Sequence, residues 1–168
     1  VRSSAASDVY KRQLVGCGAV PQDIVKPMYR LKPLAKARLW GRVLGELHSA
    51  AAGRLVWAPV RQDALRASGA SPDMDDGLPS YLMDIEGVAL AALFKEQSDG
   101  TTRVSLRTAA PYDAAALARH YGGGGHVRAA GCSLARPIDA AMAELIPVLE
   151  AALTPAAVNE KPDDILRP

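Results

Sequence analysis

A mixed α/β (α+β) sheet with a hairpin and packed helices is the fold class this sequence predicts, and three observations predict it. Two apolar runs, 88–96 and 102–108, flank the segment QSDGT, whose Asp99-Gly100 pair is a hairpin signal. Helical and extended periodicities alternate irregularly beyond Arg54, which suits a sheet with helices laid on it. Apolar residues make up 49% of the 168, enough to build a core and too many for global disorder.

The elements follow in order. Residues 1–13, VRSSAASDVYKRQ, show neither a signal-peptide pattern nor helix periodicity. They read as translated adaptor sequence, hence non-native, and are set aside. Residues 14–50 are expected to be connector helices from the end of a preceding domain. A short helix follows Pro21 and is kinked or shortened by Pro27. A second begins at Pro33, with Trp40, Val43, Leu44 and Leu47 as its apolar stripe. The run Ala50-Ala51-Ala52-Gly53 breaks it. A domain over 54–153 should then start with a strand at 55–60 and a short helix at 61–68, closed by Gly69. Residues 71–80 are polar, with Pro and Gly, and begin as a loop. The hairpin comes next. Asp113 caps a helix reaching about Tyr121, a glycine tract follows, and a short strand lies near 132–135. Pro137 opens a last helix with Ile138, Met142, Leu145, Leu149 and Leu153 on one face. Residues 154–168 carry three prolines and read as a disordered tail.

Bulk properties narrow the function. The net charge of +2 supports no extended nucleic-acid track, so any phosphate binding must come from a local constellation. Cys17 and Cys132 lack the spacing of a zinc site or a disulfide framework. No apolar run approaches the roughly 18 residues of a membrane span, and no secretory leader is evident, so a cytoplasmic protein away from membranes is expected.

The chemistry concentrates in Gly122-Gly123-Gly124-Gly125-His126-Val127-Arg128-Ala129-Ala130-Gly131. Four glycines expose backbone N–H groups and permit positive φ, so successive N–H groups can converge on one anion. A helix beginning near His126 would add its dipole, and the imidazole would serve as donor or proton carrier. A bare tract of this kind is equally a helix C-cap followed by a turn. Ser105-Leu106-Arg107 lies on a predicted strand, with Ser105 and Arg107 on one face and Leu106 on the other. An arginine there can fork onto a phosphate, or simply be solvated. Asp73-Met74-Asp75-Asp76 has no histidine nearby and reads as capping and solvated carboxylates. His48 and His120 read as surface or helix-end residues.

VSLRT followed by GGGGHVRAAG resembles the signature of the DHH-associated C-terminal domain of DHH-family phosphoesterases, most closely the NrnA-like group. YRLKPLAKARLWGRVLGEL resembles the connector helices of that group, and DGLPSYLMDIEGVALAALFKE its loop, helix and strand before the hairpin. The resemblance implies the substrate-holding part of an enzyme that hydrolyses short oligoribonucleotides from the 3′ end and 3′-phosphoadenosine 5′-phosphate (pAp). It implies Ser105, Arg107, Gly122, Gly123, Gly124, Gly125 and His126 as substrate-binding residues, with Arg128 a weaker member. Manganese or magnesium would sit in a separate N-terminal DHH domain that activates water. The 168 residues hold no D-H-H triplet, so neither catalytic residues nor a bound metal are expected in this chain, which alone would be inactive. Short RNA or pAp and the DHH domain are the implied partners, and a homodimer is compatible. A nucleic-acid-binding module like that of RecJ-like exonucleases, or part of a cyclic di-AMP phosphodiesterase, shares enough of the motif to stand as an alternative. The C-terminal domain of alanyl-tRNA synthetases fits less well, because its glycine motif continues differently.

Overall fold

A computed structural model describes residues 13–18, 20, 23 and 32–153. The expectations for 1–12 and for the tail at 154–168 lie outside the described residues, and so does almost all of the short helix after Pro21. The described elements from Leu34 onward are α1 (Leu34–Gly45), β1 (His48–Ala50), β2 (Leu55–Val60), α2 (Gln62–Ser68), α3 (Leu78–Met83), β3 (Leu90–Glu96), β4 (Thr102–Thr108), α4 (Ala114–Arg119), β5 (Gly124–His126), β6 (Ala129–Leu134) and α5 (Ile138–Leu153). Single 3₁₀ turns cover Ala51–Gly53 and Pro72–Asp75.

The strands form one mixed sheet of order β1-β2-β3-β4-β6-β5. β2 and β3 run parallel, joined by the crossover that contains α2 and α3; the other pairings are antiparallel. Strand alternation sends the two sets of side chains to opposite faces. On one face Leu55, Ala92, Phe94, Val104, Leu106 and Ala130 pack with α4 and α5. On the other, Val56, Ala58, Val60, Ala91 and Leu93 pack with α1, α2 and α3. The helix expected as a connector thus contributes Leu39 and Val43, both buried, to this second core.

The second face is covered only in part. α1, α2 and α3 lie over β2 and β3, with α3 reaching the edge of β4, while the same face of β4, β6 and β5 carries Arg103, Ser105, Arg107, Ala129, Gly131, Ser133, Gly124 and His126 in register, none of them buried. Apolar residues under helices on one side therefore give way to small and cationic residues on the other. That half-bare sheet face positions the site.

Most predicted boundaries hold to within a residue or two, β2 and β4 among them. Gly69 closes α2 in the left-handed conformation at φ 62°, and the side chain of Asp113 caps α4 by accepting from the N–H of Ala116 at 3.0 Å. The segment expected to begin as a loop at 71–80 holds a 3₁₀ turn and then the start of α3, the helix that the resemblance implies before the hairpin. Leu78 and Leu82 of α3 are fully buried, and that burial outweighs the proline-rich local sequence. Pro147 lies inside α5, which runs through it.

Candidate phosphate-binding face

Arg107 and Ser105 stand on β4, with the buried Leu106 between them turned into the core as the alternation requires. The register carries their rows across β6 to β5. Ser105 pairs with Gly131 and Gly131 with Gly124; Arg107 pairs with Ala129 and Ala129 with His126. Residues directly opposite one another share a face. Arg107 and His126 therefore flank Ala129 on the bare face, two strand spacings apart, roughly 10 Å between Cα atoms. The structure thus brings Ser105, Arg107, Gly124 and His126 together.

No helix begins at His126, so the condition for a helix dipole there is not met. His126 ends β5, and Val127 and Arg128 form a two-residue connection to β6. Three contacts hold this hairpin end. The Thr108 hydroxyl lies 3.1 and 3.0 Å from the carbonyls of Tyr112 and Val127 and shares its one proton between them. The N–H of Ala114 donates to Val127 at 2.8 Å. Nη1 of Arg128 donates to the carbonyls of Ala109 and Tyr112. Arg128 thereby orders the hairpin beneath His126, a positioning role. The imidazole is presented by an edge strand, with no helix dipole behind it.

The glycine tract divides its work. Gly122, at φ 69°, ends α4, its N–H donating to Arg119 at 3.1 Å. The N–H of Gly123 donates to Ala118 at 3.0 Å. Those two N–H groups are engaged with helix carbonyls, so four N–H groups do not converge on one anion; the C-cap reading holds for this half. Gly124 and Gly125 join the sheet edge as β5. A Cβ on Gly123 would lie 2.2 Å from the Gly131 carbonyl oxygen, whereas a Cβ on Gly124 would meet nothing within 4 Å. The bare face is thus floored by backbone at Gly124 and Gly131, open to close approach by a ligand.

Arg103 and Lys95 belong to the same face, and the sequence reading missed them. Counting back in twos from Arg107 would have found Arg103. Lys95 pairs in register with Arg103, and its Nζ lies 2.9 Å from the Asp75 carboxylate, with both side chains largely buried. It also donates to the carbonyl of Pro72. The acidic turn is fastened further by Lys36 to the Asp76 carbonyl at 2.7 Å and by Trp40 Nε1 to the Met74 carbonyl at 3.1 Å. The Ser71 hydroxyl bonded to Asp73 holds that carboxyl below the usual carboxylate range. Between the turn and β4 lies a hollow of about 340 Å³, with Asp73, Asp75 and Asp76 on one wall and Lys95, Arg103 and Arg107 on the other.

Among the described residues no group of three or more His, Cys, Asp and Glu side chains could hold a metal ion. The acidic turn does not fit one either, since Asp75 is already neutralised by Lys95. Cys132 is buried beside the tract, and burial pushes its thiol up, so it packs rather than reacts. His48 is exposed and stacks on Trp57; His120, also exposed, bonds the Ala116 carbonyl of its own helix. What the face offers is a guanidinium fork, a hydroxyl, an imidazole and bare backbone, a set suited to a phosphate.

Comparison with known proteins bears on the family and the fold. The chain is 33% identical over 124 residues to the bifunctional oligoribonuclease and PAP phosphatase NrnA of Thermus thermophilus, a match over 73% of this chain and 36% of that protein. It resembles in fold a crystal structure of an exopolyphosphatase-related protein from Bacteroides fragilis, with a TM-score of 0.73, 20% identity, and coverage of 86% of this chain and 42% of that one. The chain therefore spans less than half the length of either. No helix among the described residues is long and apolar enough to cross a membrane. The DHHA1 domain family matches residues 59–154, from within β2 to the end of α5, and the chain belongs to that family.

Proposed function

We propose that this chain is the substrate-holding part of a DHH-family phosphoesterase acting on short oligoribonucleotides and pAp. Arg107, Ser105 and His126 take the phosphate, and the backbone of Gly124 and Gly131 lets it approach. Manganese or magnesium in a separate DHH domain would activate the attacking water and polarise the phosphate. The observation that carries this reading is the register: Arg107, Ala129 and His126 form one row across a sheet face bordered by α3 on the β4 side, with none of the three buried. The name of the Thermus relative supports the substrate class. In solution the protein works in the cytoplasm, where short RNA and pAp arise.

The test is calorimetric titration of pAp into the wild-type chain and into Arg107→Ala and His126→Ala. Arg107→Ala should cost roughly 1.5–3 kcal/mol of binding, the range of a charge-assisted hydrogen bond, and His126→Ala somewhat less. Both variants should melt cooperatively near the wild-type temperature, since both side chains point away from the core. Unchanged affinity in both would remove the face from substrate binding. Loss of folding would make these residues supports of the sheet instead.

A further inference from the structure

We infer that the bare face grips two phosphates of one short single-stranded oligonucleotide, and that Arg103 holds the second; this rests on the phosphate-binding reading above. Three cations, Lys95, Arg103 and Arg107, line one side of the hollow beside the acidic turn. Lys95 is committed to Asp75, and the side chain of Arg107 donates to the carbonyl of Leu106 at 3.0 Å. Arg103 makes no ion pair or hydrogen bond with another described residue and stands exposed directly across from Lys95. Like charges directly opposite on a sheet are unfavourable without a counter-charge. The core does not explain this arginine, because its neighbours in sequence, Thr102 and Val104, are the buried ones.

Position supplies the second argument. Arg103 lines the 340 Å³ hollow and also a second one of about 630 Å³, which continues past Ser133 and Gly124 to Tyr121. It stands where the two meet, so a ligand lying along β4 passes it. Arg103 and Arg107 are four residues apart on one strand and one face, roughly 13 Å between Cα atoms. A ligand with a single phosphate can satisfy one of them. A chain of nucleotides presents phosphates at intervals and can satisfy both. Of the carboxylates along this path, Asp73 and Asp76 on the wall of the smaller hollow keep their charge, while two others are engaged. Asp75 is paired with Lys95, and Asp99 accepts from the N–H and hydroxyl of Thr101 at 3.0 and 2.7 Å.

The experiment measures affinities of the 168-residue chain for adenosine 5′-monophosphate and for a 5′-phosphorylated triadenylate, in wild type, Arg103→Ala and Arg107→Ala, at fixed low salt. Arg103→Ala is expected to weaken the triadenylate about tenfold and to leave the monophosphate within about twofold. Arg107→Ala is expected to weaken both. Arg103→Lys should recover part of the loss, because a point charge replaces the fork. If Arg107→Ala weakens both ligands and Arg103→Ala weakens neither, the second phosphate site is gone while the first stands. If Arg103→Ala weakens both equally, it contributes only general field, and the inference falls. If wild type binds neither ligand, or Arg107→Ala changes nothing, the phosphate-binding reading falls and takes this one with it.

Discussion

Gly123 and Gly124 are chemically identical neighbours with opposite tolerances. A methyl group on Gly123 would sit 2.2 Å from the Gly131 carbonyl oxygen and 2.6 Å from Cβ of Cys132, both on the adjacent strand. Backbone must move to admit it, so Gly123→Ala should destabilise the chain by about 1–3 kcal/mol, the usual cost of overpacking, or more. Gly124 lies in β5 with φ outside the left-handed region and open space around its Cβ position, so a β-branched residue fits there. Gly124→Val should therefore keep its cooperative melt and lose phosphate binding, because the isopropyl group stands on the floor between Ser105, Gly131 and His126. The loss should be larger for a nucleotide than for its nucleoside. Equal losses for both, read by calorimetry beside thermal melts, would take Gly124 out of the site. The sequence marked the tract as a whole, together with Ser105, Arg107 and His126. It did not separate one glycine from the next, because the constraint on Gly123 comes from Gly131, a contact made only when β6 folds back.

At the scale of elements, the sequence was read well wherever a cap or turn residue states its own reason. Asp113, Gly69 and the Asp99-Gly100 turn lie where their chemistry requires. It was left open after the glycines, where small residues without strong periodicity suit a helix start and a strand edge alike. Pairing with β6 decides that case, and pairing is not local. A second non-local link is the ion pair from Arg61, ahead of α2, to Asp139 in the first turn of α5, at 2.6 Å. The hydrogen bond from Arg61 holds the Asp139 carboxyl below its ordinary range. The linkage sign follows: a depressed carboxyl stabilises the fold in full above its unfolded value, near pH 4, and loses that contribution as pH falls through the folded value. Because Asp139 is exposed, the pair is worth about 0.2–1 kcal/mol after screening. Asp139→Asn should therefore lower the melting temperature slightly at pH 7 and converge with wild type in acid. A gap that persists in acid would assign the effect to the side chain's packing rather than its charge.

At the scale of the whole molecule, the sheet is asymmetric. One face is fully clothed by α4 and α5, the other by α1, α2 and α3 over half its width. The sequence reading found most elements, but it missed β1 and β5 and carried the stripe of α1 past Gly45 to Leu47; nor could it give this asymmetry, which depends on strand order, since the swap that sets β6 between β4 and β5 is what carries His126 to within two strands of Arg107. The same asymmetry leads to the prediction about metals. The binding proposed above uses Arg, Ser, His and backbone, none of which needs a divalent ion. Of the carboxylates nearest the face, Asp75 is paired with Lys95 and Asp73 accepts from Ser71, which leaves Asp76 without an ion pair among the described residues. Hydrolysis of a phosphate ester at useful rates needs an activated water and neutralised developing charge, and the described residues form no cluster able to hold the ion that would supply them. The chain should therefore bind pAp with the same affinity in manganese and in chelator, and release no phosphate from it in either. Both are read on one preparation, by calorimetry and by a phosphate assay. A manganese-dependent rise in affinity would place a metal between ligand and protein, with the acidic turn at Asp73 and Asp75 the first place to look. Manganese-dependent phosphate release that survives further purification would show that this chain carries its own catalytic centre, and would end the division between holding and hydrolysing.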